Sequence, residues 1–177
     1  LRAVLRPETV IVFHDGFRLL RWGGWFRRAG MRNVMLDTHQ YLIAMEDPLF
    51  SGPARRLYLR SRRLPWLYRM LVGASGIGIR SAARRIPVLV GEWCVENRWA
   101  LHSRNRADAY RQVSRLRRAA WDASAGQVYW SYQLARSAKP GSGEGKPPRD
   151  PRNGGNLEAW DLTRVWRHGW IRTDVPH

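Results

Sequence analysis

Apolar residues along the chain alternate between short β-branched runs and stretches in which they recur at helical spacing. Val10-Ile11-Val12-Phe13 is a continuous apolar run with strong β character, and it ends in His14-Asp15-Gly16-Phe17. Residues 1–6 read as the last turns of a preceding helix closed by Pro7. Residues 17–29, with Leu19, Leu20, Trp22, Trp25 and Phe26, predict a short amphipathic helix interrupted by Gly23-Gly24 and stopped by Gly30. A second strand, Val34-Met35-Leu36, again runs out into polar chemistry, Asp37-Thr38-His39-Gln40-Tyr41. Residues 42–51 are expected as a loop and 53–85 as one or two helices covering the sheet. Val88-Leu89-Val90, behind Pro87, suits a strand buried on both faces of a parallel sheet; Gly91 is expected to end it and to present Glu92 beside Trp93, whose ring would partly desolvate the carboxylate. After a loop through Glu96 and His102, residues 108–125 carry Tyr110, Val113, Leu116, Ala120 and Trp121 at helical spacing, with Gly126 fitting the cap. Residues 127–132 make the fourth strand. Residues 138–156, crowded with Gly and Pro, predict a long mobile loop, and 157–168 a closing helix before Gly169.

Four β-then-α units in succession imply parallel strands with right-handed crossovers, either in an open doubly wound sheet or in part of a (β/α)8 barrel. Chemistry then gathers at the carboxyl ends of the strands. Those ends carry His14-Asp15, His39-x-Tyr41, Glu92-Trp93 and Trp130. The length, 177 residues with 44% hydrophobic content, suits one domain. Ten Trp are an aromatic excess that fills a core or offers flat platforms to ligands such as sugar rings. A net charge of +17 ordinarily points to nucleic acid or an anionic membrane surface. Here only Lys139 and Lys146 are lysines and the arginines are scattered over every segment, the pattern of a compositional bias, so no nucleic-acid partner is expected.

Other chemistry is poorly supported. Gly73-x-x-Gly76-x-Gly78 follows no strand and makes no phosphate loop. His14, Asp15, Asp37, His39 and Glu92 are acceptable metal ligands, but only two are His and aromatic residues surround them, so no metal and no cofactor is expected. Cys94, the one cysteine, cannot form an internal disulfide and reads as a small buried hydrophobe. The longest apolar stretch, residues 67–79, contains Arg69 and is too short to span a bilayer. No charged leader with an apolar core opens the chain.

His14-Asp15-Gly16-Phe17, Asp37-Thr38-His39-Gln40-Tyr41, Gly91-Glu92-Trp93 and Tyr129-Trp130-Ser131-Tyr132 together resemble, in order and spacing, the motifs that close strands five to eight of glycoside hydrolase family 5, most of all its exo-1,3-β-glucanase-like members. The resemblance spans nearly the whole chain and implies an α/β fold whose four β/α units form the second half of a (β/α)8 TIM barrel, with residues 1–177 a partial catalytic domain. It implies a retaining β-glycosidase acting on a β-glucan or related β-glucoside, extracellular by analogy with the family. By the same resemblance Glu92 is the nucleophile, His39 and Tyr41 contact the catalytic carboxylates, Trp130 is the sugar platform, and His14 and Asp15 line the pocket; Trp93, beside Glu92, is a further substrate-binding candidate. The family's acid/base Glu follows an Asn at the end of strand four, and no Asn-Glu pair precedes Val10; Glu96-Asn97 has the reverse order. The missing partner is therefore an amino-terminal half of the barrel, with Glu96 and Glu158 the first substitutes to consider for the acid. The alternative is a non-catalytic carbohydrate-binding half-barrel or pseudoenzyme.

Overall fold

The computed structural model describes residues 4–49, 52–134 and 156–172. In chain order its elements are strand β1 (Ile11–His14), helix α1 (Leu19–Arg28), β2 (Val34–His39), α2 (Ile43–Leu49), α3 (Gly52–Arg60), α4 (Trp66–Ala83), β3 (Val88–Trp93), α5 (Arg98–His102), α6 (Arg106–Ala120), β4 (Gly126–Tyr129), a 3-10 turn (Leu157–Trp160) and α7 (Leu162–Arg167). The strands form one parallel sheet in the order β1-β2-β3-β4. Sequential order and parallel sense follow from the alternation of strand and helix, each helix carrying the chain back to the start of the next strand.

Alternation along the strands sorts the apolar side chains onto one face. Phe13 packs on Phe26 of α1 with ring centroids 5.1 Å apart, in a small cluster with Val34, Leu36 and Ile86. Val88, Val90 and Trp93 join a larger cluster with Tyr68, Val72 and Ile79 of α4 and Tyr110 and Val113 of α6. The opposite face is open: Val12 on β1 is 50% exposed and Val128 on β4 is 48% exposed. Helix α4 lies against both α1 and α6. Its approach to α6 depends on Gly76, where a Cβ would fall on the carbonyl oxygen of Ala120.

Several elements differ from their sequence expectation. Helix α1 runs unbroken through Gly23-Gly24. The cost of two helical glycines, about 1 kcal/mol each, is offset by burial of Phe26 and by the Trp22 indole donating to the Asp15 carbonyl at 2.7 Å. Residues 43–49 form a helix where a loop was expected, because Glu46 is an interior residue: it accepts from Asn97 Nδ2 at 2.6 Å and from the Arg98 backbone N–H at 2.8 Å. The segment after β3 likewise holds helix α5, capped by Asn97 Oδ1 accepting from the Ala100 N–H at 2.8 Å. Helix α6 stops at Ala120, and Gly126 opens β4 instead of capping the helix. The closing segment divides into the 3-10 turn and α7 at Asp161, whose side chain caps α7. Residues 4–6 are not helical, and residues 138–155 of the expected mobile loop, like 1–3, lie outside the described residues. Asn156, the last residue of that expectation, is buried.

Burial pushes the Glu46 carboxyl up to about 7, against the lowering effect of its hydrogen bonds from the Arg98 backbone and Asn97 and of the nearby Arg117 charge. The folded chain therefore holds this proton to a higher pH than the unfolded chain does. The associated stability is fully present below the ordinary carboxyl range and is lost as pH rises through about 7. The expected outcome in denaturant titrations is that the wild-type chain loses stability relative to Glu46→Gln between about pH 4.5 and 7, by up to roughly 3 kcal/mol at about 1.4 kcal/mol per unit. A relative gain over that window contradicts the assignment.

Candidate active site

One additional residue in β3 creates the site. Asp37 pairs with Leu89 and Thr38 with Val90, but His39 pairs with Glu92, so Gly91 is a bulge in the ladder. Strict alternation from the buried Val88 and Val90 would turn Glu92 toward the helices and Trp93 toward the open face. The bulge reverses this. Glu92 emerges beside His39, and Trp93 is 4% exposed in the core, packed edge-on against Trp121 and Tyr129 at 5.7 and 5.1 Å. The strand accordingly continues to Trp93, past the glycine expected to end it.

On the open face four side chains, Tyr41, Glu92, His39 and Asp37, form a chain of contacts. Glu92 Oε2 accepts from the Tyr41 hydroxyl at 2.6 Å and lies 3.2 Å from His39 Nδ1. His39 Nε2 lies 3.1 Å from Asp37 Oδ2. Both contacts to Glu92 fall on Oε2, and no hydrogen bond engages Oε1 among the described residues. The Tyr41 ring stacks on Trp160 at 5.4 Å and 26°, which fixes the direction of its hydroxyl. Burial, reinforced by the hydrogen bond to Glu92, holds the Tyr41 phenol well above its ordinary range, so it is a neutral donor to a carboxylate. Asp37 sits in the space over Gly91: a Cβ at position 91 would overlap its Oδ1, a buried atom with no hydrogen-bond partner.

The flanking strand ends contribute unequally. The His14 ring meets His39 edge-on at 4.3 Å, and its Nδ1 accepts from the Gly16 N–H at 3.1 Å. Asp15, expected to line the pocket, is 1% exposed: its carboxylate accepts from Thr38 Oγ1 and the Phe17 N–H, both at 2.8 Å, and braces β1 against β2. Its carboxylate is engaged within the fold and does not line the open face. Trp93, also expected in the pocket, is excluded from it by the bulge. Trp130 follows β4, donates its N–H to the Trp93 carbonyl at 2.8 Å and is 50% exposed; its peptide bond to Ser131 is cis. The Cys94 thiol is buried and pushed up to about 12 by desolvation, as a small hydrophobe and not a nucleophile.

Two members of the site were not assigned this role from the sequence. Asp37, considered there only as a metal ligand, stands two residues before His39 on one strand, hence on the same face, and that spacing was the available signal. Trp160 reaches Tyr41 from a remote part of the chain and left no local signal. Neither suspected substitute for an acid faces Glu92 as a free carboxyl: Glu96 is buried with both oxygens accepting from the Asn156 N–H at 3.0–3.1 Å, and Glu158 lies 3.4 Å from His168 Nε2.

Compared with known protein families and with curated proteins, the chain matches none. Among the described residues no group of three His, Cys, Asp or Glu side chains is placed to hold a metal ion, and no helix is long and apolar enough to cross a membrane.

Chemically, the site presents an acceptor-rich carboxylate with one oxygen anchored by a phenol and an imidazole and the other unengaged. Its geometry rests on the absence of a side chain at Gly91. Gly91→Ala is expected to displace Asp37 and to cost roughly 1–3 kcal/mol of unfolding free energy, the usual penalty for overpacking. Denaturant titration checks the cost, and a variant as stable as the wild type would show that Asp37 is not held there.

Proposed function

We propose that the chain is the carboxyl-terminal half of a (β/α)8-barrel glycoside hydrolase of the retaining kind, acting on a β-glucan or related β-glucoside, with Glu92 as nucleophile. The observation that carries the reading is the Glu92 carboxylate at the end of a parallel strand, with Oε2 held by Tyr41 and His39 and Oε1 left to react. The fold supports it: strands follow one another in chain order, α1, α4 and α6 pack side by side, and the other sheet face is open. A doubly wound sheet covers both faces with helices, whereas a barrel wall turns one face to its own interior.

In this reading the Tyr41 hydroxyl donates to Glu92 Oε2 and holds the carboxylate aimed at the anomeric carbon, and Asp37 orients His39 through its second nitrogen. Trp130 offers a flat face to the C–H side of a pyranose ring. Retaining hydrolysis needs a second carboxyl about 5–5.5 Å from the nucleophile to protonate the leaving oxygen. That group belongs to the other half of the barrel.

The test isolates the nucleophile. An aryl 2-deoxy-2-fluoro-β-glucoside with an activated leaving group, which needs no proton, is expected to label Glu92 covalently, as read by peptide mass spectrometry. Glu92→Gln should abolish labelling, and Tyr41→Phe should slow it roughly ten- to a hundredfold, the worth of a hydrogen bond to a charged group. Labelling at another residue overturns Glu92 as the nucleophile, and no labelling overturns the reading in favour of a non-catalytic sugar-binding unit.

Without general-acid help, typically worth about 10²–10⁴-fold, the chain alone should turn over an unactivated β-glucan only in trace. Release of reducing sugar measures this. Turnover at a rate unaffected by supplying an amino-terminal half would mean that a carboxyl of this chain serves as the acid.

A further inference from the structure

On the outer helix layer, like charges gather where they should repel. Arg111, Arg115 and Arg118 stand at i, i+4 and i+7 along α6 and so share one stripe of the helix. Together with Arg172, from the segment after α7, they line a cleft of about 270 Å³ that also holds Ser114 and Trp170. The Trp170 indole is stacked on Tyr110 at 4.1 Å and on His168 at 4.8 Å, so its flat surface is already engaged and the cleft is polar in character.

Like charges at i, i+4 destabilise a helix, and four guanidinium groups around one hollow compound the repulsion. Among the described residues, the one carboxylate within ion-pair distance of any of them is Asp108, 3.8 Å from Arg111 and partly solvated. Arg118 Nη1 donates to the Arg172 carbonyl at 3.1 Å, which pins one fork at the rim. A second hollow of about 280 Å³ shares Arg118 and Arg172. Two residues lining it carry buried polar atoms without a hydrogen-bond partner, Trp93 Nε1 and Gln127 Oε1. A charged cleft thus adjoins an unsatisfied donor and acceptor.

We infer that this double cleft binds a small, multiply charged oxyanion, a phosphate or sulfate ester whose charged group sits among Arg111, Arg115, Arg118 and Arg172. Guanidinium forks match tetrahedral oxyanions bidentately, and a bound anion replaces their mutual repulsion with attraction. The size favours one or two tetrahedral groups over a polymer strand, and the neighbouring hollow leaves room for the polar remainder of the ligand. The site lies on the helix side of the sheet, apart from Glu92, and does not depend on the glycosidase reading.

Isothermal titration of the 177-residue chain with pyrophosphate at physiological salt is expected to show one saturable site. Arg115→Gln and Arg118→Gln should each weaken it roughly ten- to a hundredfold. Arg55→Gln and Arg56→Gln, exposed on α3, should leave it unchanged. Thermal melts establish that the variants are folded. Parallel titrations with sulfate separate the two ester sources, the tighter inorganic anion naming the group. Equal weakening by the α3 substitutions would mean diffuse surface charge and overturn the site. So would the absence of saturable binding, or binding of a single-stranded oligonucleotide without pyrophosphate.

Discussion

A single residue without a side chain sets the chemistry of this sheet. The bulge at Gly91 shifts the phase of β3 by one, so that a carboxylate and an indole exchange faces. Because side chains alternate strictly along a strand, any in-register sequence would have buried the acid among the helices. The same glycine leaves the volume that Asp37 occupies, and Asp37 in turn holds the imidazole that touches Glu92. Backbone phase, carboxylate position and imidazole orientation are one constraint.

Behind the site, polar groups are satisfied inside the helix layer and not at the surface. Arg117 is fully buried; its Nε donates to the Tyr68 hydroxyl at 2.7 Å and its terminal nitrogens to the carbonyls of Cys94 and Glu96, the latter at 2.9 Å. This fork ties α6 to α4 and to the strand exit after Trp93. A second chain of donors crosses the layer: Trp121 Nε1 to Ser75 at 2.9 Å, Ser75 to Gln40 at 2.6 Å, Gln40 to Thr38 at 2.9 Å and Thr38 to Asp15 at 2.8 Å. These two networks pair most of the polar atoms buried behind the site and fix the strand ends relative to one another.

The sequence made the strands and their parallel order legible because β-branched runs such as Val88-Leu89-Val90 have one physical use, burial in a covered sheet. It made Glu92, His39 and Tyr41 legible because polar groups at strand exits stand out against those runs. What it hid were effects of distance and phase. Glu46 reads as a surface charge until Asn97 and the Arg98 backbone are brought to it, so α2 passed for a loop. Asp15 read as a pocket residue from the resemblance and Trp93 from its place beside Glu92, and neither ground says which face a side chain takes. Packing, not propensity, carried α1 through its two glycines.

The apolar interior is unequally divided, and that division has a dynamic consequence. Strand β1 rests on the smaller cluster of Phe26, Val34, Leu36 and Ile86, among the described residues pairs only with β2, and leaves Val12 half exposed. Strands β2 and β3, paired on both sides, have no such free edge. Opening free energies follow local burial, so the edge unit of β1 and α1 opens more readily than β2 and β3. Amide protons of Ile11 to His14 are therefore expected to exchange with solvent through partial openings that leave β3 closed, each of which would withdraw His14 from His39 while leaving the Tyr41-Glu92 contact in place.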